Sequence, residues 1–339
     1  MHIAQVRAEL DALGARPAHQ RRLLQRWLQG RALSGPEDAA ADAHVLSARL
    51  RAALPDLQRR LDALLTPVSE HPAEDAVRLL SSLADGQTVE SVLLPREGVC
   101  VSTQVGCAVG CRFCMTGQGG LLRQLGSAEI LAQVVLARRR QTLRRVVFMG
   151  MGEPAHNLEA VVEAIEHLGA EGGLGWRNLV FSTVGDPRVF ERLPAAAVRP
   201  ALALSLHSTD AARRRMLLPK APAMDPAELV ALADAYSRSI RYPLQLQWTL
   251  LAGINDADDE VDGLIALLRG RRVIVNFIPY NRVEGLPFKR TDWARAGEMA
   301  QRLLEAGIVT RLRRSAGQDV DGGCGQLRAR QLRNPPPML

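Results

Sequence analysis

The stretch GCAVGCRFCMTG, residues 106–117, sets Cys107, Cys111 and Cys114 within eight positions of one another in a chain with only five cysteines. Thiols at this density read as metal ligands rather than packing residues, and the question is why there are three. A closed tetrahedral zinc site takes four ligands, commonly from two separated CxxC pairs. Here the spacing is C-x3-C-x2-C, with no nearby fourth cysteine and no histidine at finger spacing. A [4Fe–4S] cluster held by three thiolates leaves one iron without a protein ligand, open to a substrate. Three ligands therefore favour an iron–sulfur centre over zinc.

The surroundings of this stretch set the fold class. An extended run, VCVSTQV, leads into it, and strand-like segments then alternate with helical ones. RVVFMG (145–150), NLVFSTVG (178–185), ALALSLH (201–207), PLQLQWTLL (243–251) and RVIVNFIPYN (272–281) are each followed by an amphipathic stretch, and IVTRLR (308–313) ends the pattern. Short apolar strands alternating with helices predict an α/β fold with a parallel sheet covered by helices. About six βα units suit a partial barrel rather than a full eight-unit one. In such folds ligands lie at the C-terminal strand ends, where the cysteines, Gly150-Met151-Gly152-Glu153, Ser182, Ser205, His207 and Asn281 fall. Paired glycines let backbone approach a ligand closely, and a carboxylate beside them can hold an ammonium group.

Upstream, VRLLSSLADGQTVESVLL (77–94) predicts two strands joined at Asp85-Gly86, because Asp-Gly tolerates the positive φ angles of a tight turn. Residues 1 to about 64 read as helical, with Leu23, Leu24, Trp27 and Leu28 on one stripe, a stop at Gly30 and a second start at Ser34-Gly35-Pro36. The expected domains are a helical, RNA-binding accessory domain over 1–70 and a β-hairpin linker over 71–99 carrying Glu90. A barrel with a Cys324 loop follows over 100–327, and a tail over 328–339.

With 43 basic and 36 acidic residues the net charge is +7, which favours a polyanionic partner such as nucleic acid. Arg21, Arg22 and Arg26, Arg138 to Arg140, Arg213 to Arg215, and Arg311, Arg313 and Arg314 are candidate phosphate contacts. An odd cysteine count without an apolar leader argues against a disulfide framework and for a reducing, cytoplasmic setting. Nothing in the sequence demands more than a monomer.

CxxxCxxC is the signature of the radical S-adenosylmethionine (SAM) superfamily, and the resemblance narrows further. VESVLLP, CVSTQVGCAVGCRFC, VVFMGMGEPAHN, FSTVG, SLH, LLAGIND, NFIPYN and DVDGGCGQL occur in the order found in the RlmN/Cfr family of radical SAM RNA methyltransferases. They cover about residues 85–327, and GEPAHN is closer to RlmN. The resemblance implies a [4Fe–4S] cluster on Cys107, Cys111 and Cys114, with SAM contacts at Gly152, Glu153, Ser182, Ser205, Leu206, His207 and Asn281. One SAM would methylate Cys324 and a second would yield a 5′-deoxyadenosyl radical, making two per turnover. The radical would take a hydrogen from S-methylated Cys324, whose methylene then adds to an electron-poor adenine carbon. Glu90 matches the proton acceptor, and Cys100 the thiol that resolves the adduct by forming a disulfide with Cys324.

The implied substrates are 23S rRNA and tRNA at adenine C2, with flavodoxin or ferredoxin as electron donor. Two alternatives are a Cfr-like C8 methyltransferase conferring antibiotic resistance and a non-enzymatic, metal-stabilised RNA-binding protein. The sequence departs from the family at STVG, where STSG is common, and at RVEGLPFKR, where a proline-rich run is usual.

Overall fold

The computed structural model describes residues 1–35, 39–73, 76–283, 285–313 and 325–333. Its strands are β1 (Leu65–Pro72), β2 (Val77–Leu83), β3 (Thr88–Leu94), β4 (Gly98–Cys100), β5 (Gln104–Gly106), β6 (Leu121–Gln124), β7 (Arg145–Phe148), β8 (Leu179–Thr183), β9 (Ala201–Ser205), β10 (Leu244–Leu250), β11 (Val273–Pro279) and β12 (Val309–Leu312). Ten of them form one sheet in the order β1-β2-β3-β4-β7-β8-β9-β10-β11-β12. The β1–β2, β2–β3 and β3–β4 pairs are antiparallel, and pairing from β4 through β12 is parallel throughout. This is the partial α/β barrel that the alternation predicts, extended at one edge by the antiparallel strands.

Alternate strand residues divide the core. Val99, Val146, Phe148, Leu179, Phe181, Leu202 and Leu204 pack outward under the helices. Val92, Cys100, Val147, Val180, Ala201 and Ala203 line the concave face. Small residues there keep the lumen open, as the period-2 geometry of strands requires when both faces are covered.

Four helices precede the sheet, at Ile3–Ala12, Pro17–Leu28, Ala39–Val45 and Ala48–Asp62. Helix Pro17–Leu28 buries Leu23, Leu24, Trp27 and Leu28, and those side chains belong to the same apolar cluster as the barrel's outer layer. The seam is also hydrogen-bonded: Ile3 N donates to Ser127 Oγ at 2.8 Å, and Arg138 Nη1 donates to Leu28 O at 2.6 Å.

Four readings change. The run VCVSTQV is two short strands in different sheets, with β5 pairing only β6. Strand β1 straddles the boundary expected at residue 70; its threonine, prolines and serine hid it, and its burial is mostly one-sided. The periodic leucines after Pro36 divide into two helices, the longer one starting at Ala48 where Ser47 Oγ accepts from Leu50 N at 3.1 Å. Finally, Arg26 faces inward. It forms a two-pronged pair with Asp42 at 2.7 and 2.9 Å, and Arg22 reaches the same carboxylate at 3.3 Å. Among the described residues no helix is long and apolar enough to cross a membrane.

Because Arg26 and Asp42 are both buried, removing one strands the other's charge. Asp42→Ala is expected to destabilise the protein by about 3–5 kcal/mol, read by denaturant titration. A loss below about 1 kcal/mol would mean the pair is solvated.

Candidate active site

The cysteine loop begins where β5 ends. Cys107, Cys111 and Cys114 line a cavity of about 310 Å3 together with Gly150, Gly152, Glu153, Ser182, Ser205, His207 and Asn281. A larger cavity, about 650 Å3, lies at the other end of the strands beside Trp176, Arg199 and Arg241. It holds none of the expected site residues, so size alone does not select the site.

Backbone geometry brings these groups together through a short chain of buried polar residues. Ser102 N donates to Gln133 Oε1, and Ser102 Oγ accepts from Met151 N, both within 2.9 Å. Gln104 Oε1 accepts from Glu153 N at 2.7 Å. Gly152 has φ +102°, and a Cβ there would lie 2.7 Å from the Gln104 side chain. Glycine is therefore required twice over, for conformation and for contact.

Glu153 is buried, and its carboxylate accepts from Ala155 N at 3.2 Å and Val184 N at 3.1 Å. Burial pushes its pKa up to about 7, and the hydrogen bonds from Thr183, Ala155 and Val184 only partly oppose that. A carboxylate raised in this way regains its charge when an ammonium group arrives beside it.

His207 has φ +64° and is buried. Its Nδ1 accepts from Thr249 N at 3.0 Å, which places the ring proton on Nε2. Burial, with repulsion from Arg214, holds its pKa down to about 3, so the ring is neutral. Phe113 of the cysteine loop packs edge-on against it, with centroids 5.0 Å apart. Asn255, from LLAGIND, donates to His207 O and Thr249 O at 2.8 and 2.9 Å. That clamp explains the motif, to which no role followed from its sequence.

The thiols fit a metal cluster. Burial pushes Cys107 up to about 12 and raises Cys111 strongly, with neighbouring thiolates adding to both. Such thiols do not ionise unaided, and a cationic centre reverses that preference. Three cysteines of one loop facing one cavity, with no fourth cysteine among its lining residues, suit an iron–sulfur cluster better than a closed zinc site.

Other expected residues take different places. Leu206 turns its side chain into the core and is not among the residues that line the cavity. Glu90 lies outside the cavity lining, under the helix Gln326–Arg333, where Arg328 N donates to it at 2.9 Å. Cys100 is buried on the concave face. Cys324 and Arg314 lie outside the described residues.

Several proposed phosphate contacts are engaged internally. Arg138 donates to Leu28 O and Gly172 O, Arg139 pairs with Asp62, Arg140 with Glu70, and Arg213 with Asp259 and Glu260. Arg214 is buried and donates to Val184 O. Gln247, Thr249 and Phe113 line the cavity but carry no local motif. Only their inward strand parity or their place inside the cysteine loop marks them.

Comparison with known proteins agrees with this geometry. The radical SAM superfamily model matches residues 101–268. A probable RNA methyltransferase of Aromatoleum aromaticum is 61% identical over 98% of this chain and 93% of its own length. One from Thiobacillus denitrificans is 62% identical over 98% and 91%. The crystal structure of a radical SAM methyltransferase from Sphaerobacter thermophilus superposes with a TM-score of 0.83 at 35% identity, covering 96% of this chain and 97% of that one. The non-enzymatic alternative therefore falls.

A Gly152→Ala substitution is expected to cost roughly 2–4 kcal/mol from overpacking and backbone strain, measured by denaturant titration. An unchanged midpoint would contradict the close approach of Gln104. The chain belongs to the radical SAM RNA methyltransferases, whose cofactors are SAM and a [4Fe–4S] cluster.

Proposed function

We propose that this enzyme methylates adenine C2 in 23S rRNA and in tRNA, using Cys324 as the methyl carrier and two SAM molecules per turnover. What supports the reading is the position of the chain next to that cysteine. A Cβ on Gly325 would come within 2.5 Å of Thr116 Oγ1, and Gln326 Nε2 donates to Arg282 O at 3.0 Å. Thr116 belongs to the cysteine loop, so the chain from Gly325 onward starts at the mouth that the cysteine loop lines.

When bound, the cluster and SAM supply a 5′-deoxyadenosyl radical. Cys107, Cys111 and Cys114 would hold the cluster. Glu153 takes the methionine ammonium, while Ser182, Ser205, His207, Asn281 and the backbone of Gly152 and Leu206 orient the rest of SAM. Cys324 would accept a methyl group on sulfur from one SAM, give up a hydrogen atom from it to the 5′-deoxyadenosyl radical of the second, and join the methylene carbon to adenine. Radical addition suits this carbon because C2 is not nucleophilic. Glu90 would accept the adenine proton as the adduct gives up one electron to the electron carrier. The Cys100 thiolate would then attack the Cys324 sulfur, closing a disulfide and releasing the RNA, whose methylene carbon takes up a proton. The setting is cytoplasmic, the protein acts as a monomer, and a flavodoxin or ferredoxin supplies electrons.

The test is nucleoside mass spectrometry and chromatography of 23S rRNA and tRNA treated with purified holoenzyme. 2-Methyladenosine supports the proposal, whereas 8-methyladenosine assigns the chain to the C8 branch. Glu153→Gln is expected to weaken SAM binding by about tenfold to a hundredfold, the size of one charge-assisted hydrogen bond, with iron content unchanged. Equilibrium binding checks this, and unaltered affinity would remove Glu153 from the ammonium site.

A further inference from the structure

Glu90 is 1% exposed on β3, and a buried carboxylate persists only when bonded and paired. Its Oε1 accepts from Arg328 N at 2.9 Å, and the nearby backbone of Gly325 and Leu327 also favours the charged carboxylate. Its Oε2 faces Arg78 Nη1 at 3.4 Å. Arg78 stands opposite Val92, and Glu90 opposite Leu80, so the pair is a diagonal on one sheet face, within reach of a long side chain.

These backbone groups flank the start of helix Gln326–Arg333. The first N–H groups of a helix have no partner within it, and a carboxylate there is favoured by the helix dipole as well. The side chain just before the helix normally supplies that cap. Here that position is Gly325, which has none, and the carboxylate comes from a strand 238 residues from Arg328. Arg328 fastens the same junction, donating from Nε to Thr88 O at 3.1 Å and from Nη2 to Gln87 Oε1 at 3.2 Å.

Resting on the function proposed above, we infer that Glu90, oriented by Arg78, is a positioning residue that anchors the first turn of helix Gln326–Arg333 and so fixes Gly325 beside Thr116 of the cysteine loop. This role is separate from proton acceptance and constrains it. Protonating Glu90 would weaken both the bond from Arg328 N and the attraction of Arg78 for the carboxylate. Proton removal from the RNA and loosening of the helix's first turn are then coupled.

The test is hydrogen exchange of the peptide containing Leu327 and Arg328 in holoenzyme, alongside SAM-dependent methylation of Cys324 without RNA. Glu90→Ala and Glu90→Asp are expected to speed exchange about tenfold or more, since each loses charge-assisted bonds to the turn, and to slow Cys324 methylation. Glu90→Gln keeps an oxygen for the turn, so exchange stays within about threefold and Cys324 is still methylated, while RNA turnover is lost. If the Ala variant does not fold, the Asp and Gln variants carry the contrast. Unchanged exchange in all variants, with only RNA turnover affected, would overturn the inference and leave Glu90 a base alone. If wild-type Cys324 is never methylated, the proposed function fails, and the exchange result still decides the anchor.

Discussion

Three cysteines of one loop would repel one another as thiolates, and the mouth of the barrel is organised around that constraint. Burial first, and then repulsion from neighbouring thiolates, holds Cys107 and Cys111 protonated, so the loop is suited to its task only when a cationic centre sits among the sulfurs. The protein supplies no fourth cysteine among the cavity-lining residues. Glu153 and the neutral His207 face the same space instead. The Ser102–Gln104 relay holds the Glu153 loop, and Asn255 clamps the His207 turn. The rigidity of the site comes from these buried hydrogen bonds, which in a low-dielectric interior are costly to break.

Much of this was legible in the sequence because chemistry and period coincide there. The thiol spacing, the strand ends bearing Gly152-Glu153, Ser205 and His207, and the Asp85-Gly86 turn each follow from local rules, and the structure assembles them at one end of one sheet. Long-range pairing was not legible. Strand β1 lacks clean alternation and owes its state to seven paired positions on β2. The break after Cys100 arises because Val101 N is bonded to Val147 O while Gln104 pairs with Gln124, a divergence no local propensity encodes.

The arginines were the least legible residues. A basic composition suggests a polyanion, yet Arg26, Arg138 and Arg214 spend their donors on Asp42, backbone carbonyls and the barrel interior. Sequence proximity of like charges says nothing about which carboxylate or carbonyl lies across the fold. Arg78 shows the converse. It has no motif, but the register of β2 on β3 sets it against Glu90, joining the sheet edge to the C-terminal helix.

We propose that Cys324, the residue before Gly325, is the methyl carrier of this enzyme. The most direct test is the mass of the proteolytic peptide containing Cys324, from iron-replete protein purified without oxygen. The account predicts a cysteine one methylene heavier than the thiol. An unmodified thiol on protein with an intact cluster would contradict it, leaving a radical SAM enzyme that moves its methyl group by another route.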